Sequence, residues 1–339
     1  MIGPRDIQGL QAIMPTPAKP GADRLEATDT VDVAETERMV NALLADGAQG
    51  LIALGTTGEC AALSPSDYRT FVDCVLAVVA GRVPTFIGTT ALGGHEVLAR
   101  SRFAAQHGAD GVLLGLPMWQ PVSTDMAVDF YRTMSEAMPD LAIMVYANAR
   151  AFRYTFPLDF WAAVAREAPT VIAAKYSRPK DLPALLDTVD GRIHVVPNEM
   201  TTATFYAAAP ETTTACWATA ATMGPAAIVA LMDAVKTDDA ERVAELHAAL
   251  SEANQPVEAI FRDPEIFATY NTQVEKARIN AAGYCASGPC RPPYNHLPEE
   301  YAEAAAECGR RWRELHLQYS ARSRPLAGSP TGDPQGGAL

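Results

Sequence analysis

Eight short apolar runs separated by amphipathic segments are the feature that most limits how this chain can fold. The runs cover residues 10–16, 50–56, 83–90, 111–117, 141–147, 171–177, 192–198 and 213–218. The segments between the first six runs have helical spacing of apolar residues, over 34–46, 64–80, 94–107, 122–137 and 157–168. Alternation of this kind is typical of βα units with a parallel sheet. Eight such units predict an α/β fold, the (β/α)8 TIM barrel.

The chain also has parts that lie outside the barrel pattern. We assign residues 1–237 of the 339 to the barrel, since barrels of this kind occupy such a length as one domain. Residues 238–319 contain helical but no strand patterns, and predict a C-terminal helical extension packed on the barrel. Residues 320–339 are rich in Ser, Pro and Gly, and predict a disordered tail.

The charge of the chain limits its partners. The formal net charge is -13 at pH 7, which repels nucleic acid and anionic membranes and favours a small-molecule partner. No apolar run approaches the roughly 18 residues that span a bilayer. The first ten residues resemble no signal peptide, so we expect a cytoplasmic protein.

The cysteines and histidines do not predict a metal site. The six cysteines include no CxxC pair, and Cys285 and Cys290 are read as small residues of a turn. The six histidines do not cluster by spacing, and only His194 falls in a predicted strand, where a structural role is expected. We therefore expect no metal site.

Polar residues at the ends of the predicted strands are the candidates for a site, because the active site of a TIM barrel lies there. The second run ends in "GTTGE", residues 55–59. Gly55 allows a tight turn, and Thr56 and Thr57 add hydroxyl groups, which suits a carboxylate or phosphate. A purely structural turn is an equal alternative. The fifth run places Tyr146 and Asn148 on one side of an extended segment, although a tyrosine there is often a core residue.

Lys175 ends the sixth run, "VIAAKYS", which otherwise predicts a buried strand. An apolar setting lowers the pKa of a lysine and makes part of it a neutral nucleophile. At a pKa of about 10.4 roughly 1 lysine in 2,500 is neutral at pH 7, against about a quarter at a pKa near 7.5. The alternative is a lysine with its ammonium in solvent. Together with Thr56, Thr57 and Tyr146, Lys175 would supply what attack on a 2-keto acid requires.

These residues resemble the Schiff-base-forming pyruvate aldolase superfamily, which includes dihydrodipicolinate synthase and N-acetylneuraminate lyase. Within it, the chain is most similar to the trans-o-substituted benzylidenepyruvate hydratase-aldolases of polycyclic aromatic hydrocarbon degradation. Four stretches carry the resemblance: "GTTGECAAL", "YANARAFRYTFPLDFWA", "AAKY" and "EKARINAAGYCASGPCRPPYN". The resemblance covers nearly all of the first 320 residues.

The resemblance implies a reaction and a role for each residue. A lyase of this kind converts a benzylidenepyruvate and water to an aromatic aldehyde and pyruvate, without a cofactor. Lys175 would form the imine, and Tyr146 would relay protons. Gly55, Thr56 and Thr57 would hold the pyruvyl carboxylate. Asn148 and Trp217 would lie around the added water and the aryl ring.

Several alternatives stay open at this point. The aryl group could carry an ortho-carboxylate (2'-carboxybenzalpyruvate) or an ortho-hydroxyl (2'-hydroxybenzylidenepyruvate), and a guanidinium from Arg150 or Arg153 would favour the carboxylate. A dihydrodipicolinate synthase-like aldolase with an aliphatic acceptor is the second reading. A non-catalytic keto-acid binding protein is the third. The resemblance also implies a homo-oligomer, for which we expect a tetramer.

Overall fold

The strands close into a parallel barrel. The computed structural model describes residues 1–323. Its strands are β1 (Gly9–Ile13), β2 (Gly50–Ala53), β3 (Thr85–Gly88), β4 (Gly111–Leu114), β5 (Ala142–Tyr146), β6 (Val171–Lys175), β7 (His194–Val196) and β8 (Ala215–Ala218). They follow the order β7-β6-β5-β4-β3-β2-β1-β8, with all neighbours parallel. A parallel bridge between Asn198 and Trp217 joins the two ends. The predicted TIM barrel is confirmed.

Helices follow the strands around the barrel. They are α1 (Val33–Ala45), α2 (Pro65–Val79), α3 (Gly94–Gln106), α4 (Thr124–Ala137), α5 (Ala149–Phe152), α6 (Leu158–Glu167), α7 (Leu182–Val189), α8 (Thr202–Ala208) and α9 (Ala226–Lys236). The local sequence fixes where helix α2 begins. The Ser64 side chain, just before the helix, accepts a hydrogen bond from the Asp67 backbone N–H at 3.1 Å. Pro65 begins this helix, at the position where its missing N–H costs nothing.

The strands are shorter than the apolar runs that predicted them. In β1 to β7 the last residues of the run enter the βα loop, whereas β8 ends with its run at Ala218 and begins two residues after the run does. Strand β2 ends at Ala53, and the next residue, Leu54, has a left-handed φ of 59°. The following turn folds back on Leu54, so that a Cβ atom at Gly58 would come within 2.7 Å of the Leu54 nitrogen. Only glycine permits this approach. Thr56 and Thr57 therefore lie in a loop at the barrel mouth.

The described chain after β8 contains helices and no strand. Helices α10 (Ala240–Asn254), α11 (Glu258–Arg262), α12 (Pro264–Ala282) and α13 (Glu299–Ser323) follow α9. Helices α12 and α13 pack so closely at Gly309 that a Cβ atom there would lie 2.2 Å from the Arg278 carbonyl oxygen. The division at residue 238 between barrel and extension stays our interpretation.

The end of helix α13 corrects one prediction. The helix runs to Ser323, so residues 320–323, which the sequence assigned to a disordered tail, are helical. The rest of that predicted tail, residues 324–339, lies outside the described residues. None of the helices described in residues 1–323 is long and apolar enough to cross a membrane.

Candidate active site

Lys175 and Tyr146 are neighbours at the mouth of the barrel. Each is the last residue of its strand, and the two are register partners between β5 and β6. The Lys175 Nζ atom lies 4.8 Å from the centroid of the Tyr146 ring and 3.2 Å from that of Trp217. All three side chains line one cavity of about 550 Å³ at the barrel mouth, the large cavity of this site. The strand ends predicted that Lys175 and Tyr146 would meet here, whereas Trp217 was expected from the resemblance.

The Tyr146 hydroxyl is the centre of a small polar network. It lies 2.8 Å from the Thr56 hydroxyl, and the Asn148 amide donates to it at 3.3 Å. A Cβ atom at Gly55 would lie 3.8 Å from the same oxygen, so the turn packs directly against the phenol. This network holds the phenol in one position beside Lys175.

The loop after β2 also presents backbone donors. Within residues 1–323 the N–H groups of Thr56 and Thr57 donate to no acceptor. Both threonines line the large cavity, and Thr57 is buried. Unpaired backbone N–H groups and hydroxyls in the wall of a cavity are suited to bind a carboxylate.

The amine of Lys175 is electrostatically unusual. Burial lowers the pKa of Lys175 to about 7, and the charge of Arg150 acts in the same direction. The carboxyl groups of Glu199 and Glu275 oppose this shift. About half of the Lys175 amines are then neutral near pH 7, which is the form that attacks a carbonyl carbon.

Glu199 is a buried carboxyl group in the same cavity, and sequence reasoning missed it. Burial raises the pKa of Glu199 to about 7, while Arg278 and Lys175 act in the opposite direction. Its backbone N–H donates to the Trp217 carbonyl at 3.2 Å, in the contact between β7 and β8. Glu199 follows the end of β7 by three residues, so the rule that singled out Lys175 could have found it.

Helix α12 supplies, besides Phe267, three polar residues that the sequence analysis did not assign to the site. Asn271, Glu275 and Arg278 line the cavity, at a spacing that places them on one helix face. The Arg278 and Glu275 side chains form a buried salt bridge of 2.8 Å. Arg278 also donates to Asn254 at 2.9 Å. Because α12 belongs to the extension, a search restricted to strand ends could not find these residues.

A second buried charge network is centred on Glu59, at the end of the turn after β2. Glu59 accepts hydrogen bonds from Lys276 at 2.7 Å and from the Arg291 guanidinium at 2.6 Å, and all three side chains are buried. The Arg291 backbone N–H donates to the other Glu59 oxygen at 2.7 Å. The network ties the turn that carries Thr56 to the C-terminal extension.

The two arginines considered from the sequence have different positions. Arg150 lines the cavity, and its guanidinium lies 4.1 Å from the centroid of the Phe267 ring. Arg153 instead donates to the carbonyl oxygens of Met118 and Trp119. Of these two arginines, Arg150 is therefore the one placed to face a substrate in this cavity.

The structure also places the residues considered for metal binding. No group of three or more His, Cys, Asp or Glu side chains in residues 1–323 is arranged to hold a metal ion. The six cysteines, all within that part, are free thiols. The ring of His194 faces the Pro4 carbonyl at 3.2 Å, a structural contact away from the cavity.

The fold and the site together define a TIM-barrel protein with a lysine, a tyrosine and a threonine gathered at the carboxyl ends of its strands. The dihydrodipicolinate synthetase family model matches residues 23–308. The chain belongs to this family, as the resemblance in its motifs predicted.

Curated relatives extend the comparison from the family to particular enzymes. The trans-o-hydroxybenzylidenepyruvate hydratase-aldolase of Pseudomonas aeruginosa is 40% identical over 93% of this chain and 95% of the relative. The trans-2'-carboxybenzalpyruvate hydratase-aldolase of Nocardioides sp. is 35% identical over 93% of this chain and 96% of the relative. One relative is named for the hydroxyl-substituted substrate and the other for the carboxylate-substituted one, which are the two alternatives that the sequence left open.

Solved structures agree with the fold. PhdJ bound to a substrate intermediate is 33% identical, with a TM-score of 0.90 over 94% of this chain and 99% of that chain. A dihydrodipicolinate synthase of Thermotoga maritima has a TM-score of 0.76 at 22% identity, over 91% of this chain and 99% of that chain, and shows the shared barrel alone.

Proposed function

We propose that this protein is a metal-independent class I hydratase-aldolase that converts an ortho-substituted trans-benzylidenepyruvate and water to an aromatic aldehyde and pyruvate. The single observation that carries the proposal is the Lys175 amine, whose pKa burial lowers to about 7, beside the Tyr146 ring in a cavity of about 550 Å³. The substrate names of the relatives supply the substrate class.

Lys175 supplies the nucleophile. Its neutral amine attacks the keto carbon, and loss of one water leaves an imine on Nζ. The protonated imine draws electrons from the conjugated double bond, so that water adds at the benzylic carbon. Cleavage of the bond between the two former double-bond carbons releases the aldehyde and leaves pyruvate on Lys175 as an enamine. Protonation and hydrolysis then release pyruvate and regenerate the amine.

Tyr146 and Thr56 move the protons. Their hydroxyl oxygens, 2.8 Å apart, are within the range that permits direct proton transfer. The phenol donates to the carbinolamine hydroxyl as it leaves and accepts a proton back during imine hydrolysis. The Asn148 amide, 3.3 Å from the phenol oxygen, orients it and the added water.

The remaining contacts position the substrate. The N–H groups of Thr56 and Thr57 bind the pyruvyl carboxylate, with Gly55 shaping the turn that presents them. Trp217 provides an apolar ring against which the substrate packs. The indole N–H of Trp217 is buried without an acceptor in residues 1–323, and it is available to a polar group of the substrate.

Two experiments test this function. Borohydride added with pyruvate should reduce the imine and leave a mass increment on the peptide that contains Lys175. A spectrophotometric screen of 2'-hydroxy- and 2'-carboxy-substituted benzylidenepyruvates should show loss of the conjugated absorbance with release of pyruvate, in buffer that contains EDTA. Turnover without any trapped adduct would overturn the imine mechanism, and no turnover of either compound would overturn the substrate class.

The assembly and location belong to the same proposal. We infer a cytoplasmic homo-oligomer, with a tetramer as the expected state. Light scattering coupled to size-exclusion chromatography measures the mass in solution, and a mass near 36.2 kDa would contradict the assembly.

A further inference from the structure

The turn after β2, residues 54–59, has a strained backbone at both ends. Leu54 has a φ of 59° and Glu59 a φ of 54°, in the left-handed region that residues with a side chain rarely adopt. Thr56 and Thr57 lie between them, and the Glu59 N–H donates to the Thr56 carbonyl at 3.0 Å. A backbone in this region persists only where its surroundings hold it.

The carboxylate of Glu59 is the best-anchored group of this turn. One of its oxygens accepts from Lys276 Nζ at 2.7 Å and from Arg291 Nη1 at 2.6 Å, and the other accepts from the Arg291 backbone N–H at 2.7 Å. Lys276 lies in α12, and Arg291 lies between α12 and α13. Both cations therefore reach the turn from outside the barrel strands.

The contacts of Glu59 continue into a charge-balanced network. Arg291 Nε donates to the Thr30 hydroxyl at 2.7 Å, and that hydroxyl donates to Asp67 at 2.9 Å. All members are buried, and Asp67 lies in α2, outside the turn. Two buried carboxylates, Glu59 and Asp67, are thus matched by two buried cations, Lys276 and Arg291. Because an unpaired buried charge is costly, each member constrains the position of the next.

The opposite side of the turn belongs to the candidate active site. The Thr56 hydroxyl meets the Tyr146 hydroxyl at 2.8 Å, and both threonines of the turn line the large cavity. On the back of the turn, the Thr272 hydroxyl donates to the Thr56 carbonyl at 3.3 Å. The Glu59 side chain is 0% exposed, so it cannot touch a substrate and acts only through the turn.

We propose that Glu59 is a positioning residue for the carboxylate of the keto acid. Its contacts with Lys276 and Arg291 hold the turn in the one conformation that presents the Thr56 and Thr57 N–H groups to the large cavity. Without the carboxylate, Glu59 relaxes from its left-handed φ and the two donors no longer converge on one anion. This inference rests on the proposed function. It makes the C-terminal extension part of a carboxylate site that its two cations do not touch.

Two isosteric variants test the proposal. Glu59→Gln and Asp67→Asn each remove one buried carboxylate charge from the same network, but only Glu59 lies in the turn. Borohydride trapping on Lys175 is measured by mass spectrometry with pyruvate and with methyl pyruvate, which has the same keto group and no carboxylate. The wild type and Asp67→Asn should both prefer pyruvate. Glu59→Gln should lower that preference by roughly 10- to 100-fold, the range for loss of a charge-assisted hydrogen bond.

Circular dichroism establishes that each variant is folded under the assay conditions. An unchanged preference in folded Glu59→Gln would overturn the inference, and so would an equal fall in Asp67→Asn, which would mean that the network acts through general stability alone. Lys276→Met leaves Glu59 paired with Arg291 and should lower the preference by a smaller factor. Should Glu59→Gln not fold, an unchanged preference in Lys276→Met would overturn the inference instead. Absence of trapping in the wild type would contradict the proposed function.

Discussion

The hydroxyl oxygens of Tyr146 and Thr56 lie 2.8 Å apart, although 90 residues separate them in the chain. One comes from the end of β5 and the other from the loop after β2. Neither hydroxyl has this partner without the closed barrel. The pair joins Lys175 to the turn that carries the Thr56 and Thr57 N–H groups, so the proposed proton-transfer and anion-binding parts of the site share one contact.

Lys175→Ala should abolish turnover, because no other cavity residue supplies a nucleophilic amine. The measurement is pyruvate release through a coupled lactate dehydrogenase assay, together with mass spectrometry after borohydride treatment. Lys180→Ala removes an exposed lysine five positions along the chain and should behave as the wild type. Residual turnover in Lys175→Ala above the uncatalysed rate would contradict the imine mechanism.

Tyr146→Phe should reduce kcat by roughly 10²- to 10⁴-fold, the range for a lost general acid-base group. The packing of the ring against Phe152, with 5.4 Å between centroids, is kept in this variant. Thr56→Val should also slow the reaction, and Thr56→Ser, which retains the hydroxyl, should restore most of the rate. A Tyr146→Phe enzyme with wild-type kcat would contradict the proton relay.

The pH profile of kcat/KM should report the Lys175 amine. Burial lowers the pKa of Lys175 to about 7, so the neutral form is lost as the pH falls below that value. Activity should therefore decrease on the acidic side by about tenfold per pH unit once the pH is well below the pKa. The apparent value belongs to the coupled Lys175 and Glu199 groups together.

Glu199→Gln gives the direction of that coupling. The Glu199 charge raises the pKa of Lys175, so its removal should move the acidic limb of the profile to lower pH. Glu303→Gln, at an exposed position of α13, should leave the profile unchanged. A shift of the limb to higher pH in Glu199→Gln would contradict the placement of this carboxyl group beside the amine.

Glu59→Gln should destabilise the fold by about 3–5 kcal/mol, because it leaves two buried cations, Lys276 and Arg291, without their shared carboxylate. Urea denaturation followed by circular dichroism measures the free energy of unfolding. Glu26→Gln, from an exposed 3.9 Å pair with Arg24, should change it little. Equal stability of the two variants would show that the Glu59 network is not needed for the fold.

The apolar runs and strand ends were sufficient to predict the barrel and the meeting of Lys175, Tyr146 and Thr56. Eight parallel strands can close in few ways, and their carboxyl ends then share one mouth. Strand lengths were predicted less well, since the backbone leaves β2 at Leu54 through a left-handed φ of 59° that composition does not indicate. The end of the C-terminal helix was also predicted too early, because α13 packs on α12 and continues past residue 320.

Local pattern, a property of neighbours along the chain, determined the fold class and the placement of Lys175 and Tyr146 at the ends of their strands. Tertiary structure alone decided that Glu199 lies buried beside the amine, that α12 brings Asn271, Glu275 and Arg278 into the cavity, and that Arg150 faces it while Arg153 does not. The physical reason is that a pKa or an ion pair depends on distance and desolvation between groups far apart in sequence. Those quantities exist only once the barrel has closed and the helices that follow it have packed against it.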